Sequence, residues 1–259
     1  MVAHLVRKLE NFTLLSDDER STLFEIASRR TRLLQPRDDV IRQGEQPYCV
    51  NLVLEGFACR YKLLPDGRRQ ILAFFLPGDM CDLYASVLAA MDHSIGALST
   101  LRIAQILPED LQEISNRSVR LRQALRWNNL VDEAILREWT VNLGQRSGPE
   151  RVAHLLCEIF VRLQSVGLAN GRKCPFPITQ AELSDALGIS IVHTNRMLQD
   201  MRADDLIVLK GRTLEFLNWE AVKQLAGFDP SYLHLDRDGR QFDAVPETVA
   251  PPSARQGTA

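Results

Sequence analysis

The sequence predicts an α+β protein in which an N-terminal helical segment and an antiparallel β-roll precede one long helix and a C-terminal winged helix-turn-helix. Three observations support this class. Short apolar runs separated by turn residues fill residues 31–107, helical periodicity follows Pro108, and two short capped helices with a hairpin after them end the patterned region. The predicted units are residues 1–116 (helix and roll), 117–145 (long helix), 146–227 (winged helix-turn-helix) and 228–259 (tail).

Residues 1–30 are predicted to be helical. Ser16 and Glu19 have the spacing of a capping box, in which each side chain satisfies a backbone N–H of the other residue. Leu23, Ile26 and Ala27 then provide one apolar face.

The predicted roll covers residues 31–107. Its strands recur every eight to ten residues, as in VNLVLEGF, FACRYKLL and RQILAFFLP, which indicates a compact antiparallel barrel or roll. Asp66-Gly67 is the clearest hairpin tip, because glycine accepts the positive φ of a tight turn. Further turn signals stand at Gly44, Glu55-Gly56 and Pro77-Gly78-Asp79.

Helical periodicity runs from Pro108 to about Leu143 and contains two apolar stripes. The first stripe is Leu121, Leu125, Ile135 and Trp139, and the second is Trp127, Val131, Ala134 and Val141. One stripe is expected to pack on the roll. The other either pairs with the same helix of a second chain, as in a short coiled coil, or lies in the core of one monomer.

Arg146-Ser147-Gly148-Pro149 is the predicted hinge, since Pro149 suits the first turn of a new helix. Val152, Leu155, Leu156, Ile159, Phe160 and Leu163 form the buried face of that helix.

Thr179 and Glu182 are predicted to cap the next helix, which ends where Gly188 permits a sharp turn. Ser190 can cap a second helix that buries Thr194, Met197, Leu198 and Met201. Ile191, Val192, Asn195, Arg196 and Gln199 then point outward. Two helices of this kind are typical of a helix-turn-helix, and an ordinary helical hairpin is the alternative.

The segment after these helices favours the helix-turn-helix. Leu206 to Leu209 and Thr213 to Leu217 form a predicted hairpin with Lys210, Gly211 and Arg212 at its tip, and Asn218 caps a closing helix. Such a hairpin is a wing that places basic side chains near phosphates.

Charge gives little support for nucleic-acid binding. The net charge is −2, and residues 145–225 contain ten Lys or Arg against nine Asp or Glu, so DNA affinity must come from a local surface.

No apolar run reaches the roughly 18 residues of a membrane span and no signal peptide is recognisable. The sequence therefore predicts a cytoplasmic protein without membrane contact.

The order of these units resembles the Crp/Fnr family of bacterial transcription regulators over residues 12–226. The similarity is strongest at Pro77-Gly78-Asp79, at SxxxRVAHLL (Ser147 to Leu156), and at ITQAELSDALGIS followed by HTNRMLQDMR. The resemblance implies a homodimer, formed through residues 117–143, that places one recognition helix in each of two successive major grooves of double-stranded DNA. It also implies contact with RNA polymerase.

The resemblance also implies particular DNA contacts. Arg196 matches an arginine that reads guanine, for which its planar guanidinium is suited. Thr179 and Ser190 match phosphate contacts, and both also suit helix caps. Ile191 and Val192 stand where many relatives carry charged residues, so they leave the half-site sequence open. The remaining candidates are Gln180, His193, Asn195, Lys210 and Arg212, although His193 also suits a solvated surface position.

The effector pocket departs from the cyclic-nucleotide binders of the family. Those proteins carry Gly-Glu and Arg-Ser or Arg-Thr pairs where this chain has Cys81-Asp82 and His93-Ser94. Asp82 is one methylene shorter, and His93 lacks the guanidinium that holds a cyclic phosphate. We therefore expect no tight binding of cyclic AMP and predict no cofactor.

Cysteine and histidine positions predict neither an iron–sulfur cluster nor a metal site. No cysteine precedes Cys49, whereas the oxygen-sensing branch carries N-terminal cluster ligands, and the five histidines are dispersed. The spacing leaves haem ligation by one histidine open. Cys49, Cys59 and Cys81 are expected to be buried in strands, and Cys174, in an apparent polar loop, is the redox candidate.

Two other functional classes were weighed against a DNA-binding regulator. A protein-interaction module would use Arg60, Lys62, Arg68 and Arg69 as an exposed basic strip toward a partner such as RNA polymerase. An enzyme is disfavoured, because no phosphate loop, zinc-type spacing or nucleophile elbow is present. The polar, proline-rich residues 246–259 are expected to be disordered.

Overall fold

The computed structural model describes residues 2–83 and 85–244. Two helices, α1 (Ala3–Glu10) and α2 (Asp17–Arg29), form the N-terminal layer. The predicted capping box is confirmed: the Ser16 hydroxyl accepts from the Glu19 N–H, and the Glu19 carboxylate accepts from the Ser16 N–H at 2.8 Å.

The roll consists of two antiparallel four-stranded sheets with the orders β1-β8-β3-β6 and β2-β7-β4-β5. Its strands are β1 (Thr31–Leu34), β2 (Asp39–Ile41), β3 (Val50–Glu55), β4 (Ala58–Leu63), β5 (Arg69–Phe75), β6 (Met80–Cys81), β7 (Ser94–Ala97) and β8 (Leu101–Ile106). The predicted tip between β4 and β5 is confirmed, with Gly67 at φ +85°. Apolar side chains fill the space between the sheets.

Three helices follow the roll. They are α3 (Pro108–Arg117), α4 (Val119–Gln145) and α5 (Gly148–Ser165). Only Arg146 and Ser147 separate α4 from α5, and Pro149 lies in the first turn of α5 as predicted. The link between the long helix and the following domain is therefore short.

The predicted helix-turn-helix and wing are present. They comprise α6 (Gln180–Leu187), α7 (Ile191–Ala203), β10 (Ile207–Lys210), β11 (Thr213–Phe216) and α8 (Trp219–Ala226). Gly188 ends α6 at φ +64°, and Asn218 caps α8. A third strand, β9 (Lys173–Pro175), pairs with β11. The sequence reading missed it because three residues carry no alternation to detect.

For three of its four residues, the second apolar stripe of α4 follows the alternative in which it lies in the core of one monomer. Trp127, Val131 and Ala134 are buried within the monomer, and the Trp127 ring stacks on Phe12 at 5.6 Å. Because α1 and the tail cover this side of α4, the helix has packed neighbours that its own periodicity does not reveal. Val141 is the exposed member of the stripe.

A buried group of charged side chains, the interdomain ion cluster, joins the roll to the DNA-binding domain. It comprises Lys8, Asp79, Glu158 and Arg162. Asp79 accepts from Lys8 Nζ and from Arg162 Nη2, each at 2.7 Å. Arg162 also contacts Glu158 Oε1 at 3.2 Å and donates to the Phe74 carbonyl at 2.9 Å. The cluster therefore fixes α5 against strand β5 and the turn after it.

Ionisation within the cluster follows from burial and charge. Burial alone raises the pKa of Asp79, but the neighbouring Lys8 and Arg162 charges lower it below its ordinary value. Burial raises the pKa of Glu158, whose carboxylate accepts from the Trp139 indole at 3.1 Å. Removing one partner of such a buried pair costs roughly 3–5 kcal/mol, because a charge is left uncompensated.

The C-terminal tail is folded as far as residue 244. Short 3₁₀ helices lie at Pro230–Leu233 and Arg240–Phe242, and Leu233 is buried. The sequence predicted only a tail without helical periodicity after Phe228. The expectation of disorder for residues 246–259 lies outside the described residues.

Across residues 2–83 and 85–244, no helix combines the length and apolarity that a membrane crossing requires.

The turn at Gly78 tests the contact between the roll and α1. Gly78 has φ +97°, and a Cβ there would lie 2.8 Å from the His4 carbonyl oxygen, whereas Gly67 has φ +85° and open space around it. Gly67→Ala pays only the backbone strain of roughly 1–3 kcal/mol. We expect Gly78→Ala to lower the free energy of unfolding in urea by at least about 1 kcal/mol more than Gly67→Ala. Equal effects would contradict the close approach.

Candidate nucleic-acid interface

The start of helix α7 forms an exposed surface. Ser190 caps the helix by accepting from the His193 N–H, and its hydroxyl lies 3.0 Å from His193 Nδ1. Ile191, Val192 and His193 are exposed, and Asn195 is half-buried. The opposite side of α7 packs inward through Thr194, Leu198 and Met201, as predicted, while Met197 is half-buried beside Gly148.

Arg196 projects from this surface, with its side chain 78% exposed. Its nearest carboxylate is Asp200, one helical turn away at 4.0 Å. An exposed ion pair of this length contributes little free energy. The guanidinium is therefore available to an incoming ligand.

Thr179 has a structural role beside its predicted phosphate contact. Its hydroxyl accepts from the Glu182 N–H at 3.2 Å, and its own N–H donates to Glu182 Oε2 at 2.7 Å. The capping box is thus confirmed. A hydroxyl that accepts in this way still has its own proton to donate, so the cap and a phosphate contact are compatible.

The wing ends in a two-residue turn. Gly211 and Arg212 have φ +59° and +60°, and Lys210 pairs with Thr213 across the hairpin. Positive φ at both central residues defines a type I′ turn. Lys210 and Arg212 are exposed at this tip, so both cations are presented away from the domain core.

An open cleft of about 670 Å³ separates the wing and the start of α6 from the roll. It brings together four predicted DNA contacts: Thr179, Gln180, Lys210 and Arg212. Ser190 lines a second cleft, beside Leu64 and Arg68 to Gln70 of the β4–β5 hairpin. The candidates thus form two adjoining sets, one along the first cleft and one on the exposed end of α7.

Two further cations line the first cleft and were missed from the sequence. Arg202 lies on α7 and Arg37 in the turn after β1. Arg202 lies on the same helix as Arg196, so its position in the sequence could have identified it as a candidate DNA contact. The position of Arg37 depends on how the roll docks against the wing, for which one sequence gives no signal.

The predicted effector residues lie together, but they hold one another. His93 Nε2 contacts Asp82 at 2.9 Å and its Nδ1 contacts Asp92 at 2.7 Å. Asp82 also pairs with Arg60. Burial alone raises the pKa of Asp82, but the hydrogen bond from His93 and the charge of Arg60 lower it below its ordinary value. The polar groups that would face a nucleotide are thus already paired.

Little space remains beside Cys81 and Asp82. Cys81 and Asp82 border a cavity of about 10 Å³ together with Met91 and Ile95, which holds no more than one water molecule. Ser94 accepts from the Gln43 N–H at 2.9 Å. A ligand inserted between Asp82 and His93 must break these contacts, whereas an open cleft of about 400 Å³ borders Ser94.

Comparison with known protein families assigns both halves of the chain. Residues 31–118 match the cyclic nucleotide-binding domain, and residues 150–225 match the Crp-like helix-turn-helix domain. The chain belongs to the Crp/Fnr family of DNA-binding transcription regulators. The resemblance found in the sequence is therefore confirmed.

Named relatives agree with this assignment. The transcriptional activator protein FnrL of Cereibacter sphaeroides is 27% identical over 198 residues, which are 75% of this chain and 78% of the relative. The nitrogen fixation regulation protein FixK of Bradyrhizobium diazoefficiens is 29% identical over 174 residues, 67% of this chain and 72% of the relative. These relatives belong to a group of regulators, not enzymes.

A solved structure shows the same fold. FixK2 from Bradyrhizobium japonicum aligns with a TM-score of 0.69 and 23% identity, over 77% of this chain and 98% of that one. The α+β class with an N-terminal cyclic-nucleotide-binding-like roll and a C-terminal helix-turn-helix is thereby confirmed.

The expectation that Cys174 lies in a polar loop is wrong, and the burial of its thiol does not suit the redox role suggested for it. This residue lies in β9, is buried, and pairs in register with Leu214. Burial raises the pKa of its thiol to about 12, which leaves almost no reactive thiolate near neutral pH. Cys49, Cys59 and Cys81 are buried as expected, and within the described ranges no three potential metal ligands cluster.

The predicted basic strip on the roll is also wrong. Arg60 points inward to Asp82 with its guanidinium over the Phe75 ring. Arg69 pairs with Asp185 of α6 at 2.7 Å. Arg68 remains exposed and Lys62 is half-buried, and each lies near one aspartate. The pairing of Arg60 with Asp82 and of Arg69 with Asp185 on the docked helix α6 removes two of the four cations from the predicted strip.

Proposed function

We propose that this regulator binds an imperfect DNA palindrome as a homodimer, with the start of each α7 in one major groove. The observation that carries the proposal is the exposed Arg196 guanidinium on a capped helix whose other face is buried. A bidentate contact from Arg196 to guanine O6 and N7 fits this presentation. Val192, 72% exposed, suits contact with a thymine methyl group.

The cleft residues complete the interface. Thr179, Gln180, Lys210 and Arg212 are proposed phosphate contacts, because they present hydroxyl, amide and cationic groups beside α7. Ser190, His193 and Asn195 lie at the start of α7, where they supply polar contacts, and Ile191 supplies an apolar one. The half-site read by these residues stays to be measured.

The dimer surface proposed for residues 117–143 is the outward face of α4. Its exposed residues are Arg126, Leu130, Glu133, Leu136, Arg137 and Val141. Apolar residues flanked by charges of both signs are typical of a helix pairing surface. Of the two stripes found by periodicity, only Val141 lies on this face.

We propose activation through contact with RNA polymerase, because relatives of this chain are transcriptional activators. The packed Asp82–His93 pocket supports action without a cyclic nucleotide. The roll then serves as a structural platform or responds to another signal.

Replacing Arg196 tests base reading. Arg196→Ala removes one bidentate base contact, so we expect a loss of roughly 1–3 kcal/mol in binding to the selected palindrome and relaxed preference at one base pair. Arg42→Ala is the matched control, since Arg42 is 70% exposed on the roll. Competition binding at fixed salt measures both. Unchanged affinity and preference in Arg196→Ala would instead favour a partner-binding module.

Replacing Leu130 tests the dimer surface. Leu130 on α4 is 57% exposed and Leu33 on β1 is 55% exposed, so Leu130→Glu and Leu33→Glu place the same charge at equally accessible positions. We expect Leu130→Glu to sediment as a monomer at micromolar concentration, because the charge is buried on pairing. Leu33→Glu should remain a dimer. If Leu130→Glu also remains a dimer, the face is misassigned.

A further inference from the structure

The C-terminal segment 228–244, here called the brace, leaves the DNA-binding domain and ends on the N-terminal layer. It follows α8 directly and reaches residues 12–14, between α1 and α2. A segment attached at both ends to different domains restrains their relative orientation.

The first anchor of the brace is on α5. Tyr232 donates to Glu158 Oε2 at 2.9 Å, and its ring stacks on His154 at 6.0 Å. Phe228 packs edge-on against the same imidazole at 5.1 Å. Since Glu158 belongs to the interdomain ion cluster, this end of the brace is tied to the contact between α5 and the roll.

The second anchor is on the N-terminal layer. The Phe242 ring lies 6.1 Å from Phe12, and Asp243 accepts from the Leu14 N–H at 2.8 Å. The Ala244 N–H donates to the Leu14 carbonyl at 3.1 Å. Arg120 at the start of α4 donates to the Phe242 carbonyl, so this anchor also touches the long helix.

Gly239 permits the close approach of the two segments. Its N–H donates to the Phe12 carbonyl at 3.0 Å. A Cβ at this position would lie 2.3 Å from the Phe12 ring, and that ring is held by its stack on Trp127. Any larger residue at 239 must therefore displace the brace or the ring.

These contacts bear on DNA binding through geometry. In a dimer joined along α4, the separation of the two α7 helices depends on how each DNA-binding domain is set against its own roll and α4. The covalent link is only Arg146 and Ser147. Helix-turn-helix dimers require half-sites about one helical turn, roughly 34 Å, apart, so a change in domain orientation changes the spacing that fits.

We propose that the brace is a specificity-determining element that sets the half-site spacing the dimer accepts. The inference rests on the proposed DNA-binding dimer. The brace and the interdomain ion cluster hold each DNA-binding domain at one orientation, and the anchoring contacts of the brace are with α5, α4 and the N-terminal layer. Loosening its second anchor therefore changes spacing selectivity and leaves base preference within a half-site intact.

The test uses full-length Phe242→Ala and Gly239→Ala, which release the second anchor and leave the Tyr232 anchor in place. Phe24→Ala, at an exposed phenylalanine of α2, is the matched control. Affinities are measured for the selected palindrome and for duplexes with one or two base pairs added between the half-sites. We expect wild type and Phe24→Ala to discriminate sharply, and the brace variants to discriminate about tenfold less.

A uniform loss of affinity at all spacings, with the ratio unchanged, would overturn the proposal, because it indicates only reduced stability. A changed base preference within each half-site would overturn it as well.

A second measurement needs no DNA. Glu109 on α3 and Gln199 on α7 are exposed, and the five native cysteines are buried, so E109C and Q199C accept spin labels selectively. Labelled subunits are diluted with unlabelled ones. Double electron–electron resonance then gives the distribution of distances between the label on α3 and the label on α7. The brace variants should broaden it. An unchanged distribution overturns the brace, whereas failure of wild type to bind any palindrome overturns the proposed function instead.

Discussion

The buried contact between Arg162 and Asp79 is the constraint on which the arrangement of this regulator depends. It joins α5, which carries the DNA-binding domain, to the turn that closes the roll, and Lys8 brings α1 to the same carboxylate. Burying these charges costs desolvation, so the cluster is weak evidence for stability and better understood as a device that specifies one docking geometry. The Arg69–Asp185 pair adds a half-buried contact between β5 and α6.

A second polar group shows the same principle in the roll. Arg60 and His93 both pair with Asp82 in the effector pocket that the sequence predicted. Ligands shift a conformational equilibrium only through differential affinity for two states. The pairing of Asp82 with His93 and the buried ion pairs between the domains support the proposal that the DNA-binding geometry is set without a cyclic nucleotide.

The sequence specified the parts whose signals are local. Caps at Ser16, Thr179, Ser190 and Asn218, the Gly188 turn and the wing follow from neighbouring residues, and each is present as predicted. It failed where a residue's environment comes from distant segments. The stripe that contains Trp127 is covered by α1 and the tail. Cys174 is buried in strand β9, which pairs with β11. Arg60 pairs with a carboxylate 22 positions away. The DNA contacts themselves remain predictions, because exposure shows availability and not recognition.

The most direct measurement is selection of bound duplexes from a random DNA pool by the purified full-length protein, without added ligand and at fixed moderate salt. We expect enrichment of a two-fold palindrome with one dominant half-site spacing, because each dimer presents two α7 helices at a built-in separation. No enrichment without ligand, followed by enrichment once a cyclic nucleotide is added, would contradict it. That result would mean that the Asp82–His93 pocket opens and that the domain geometry is set by an effector.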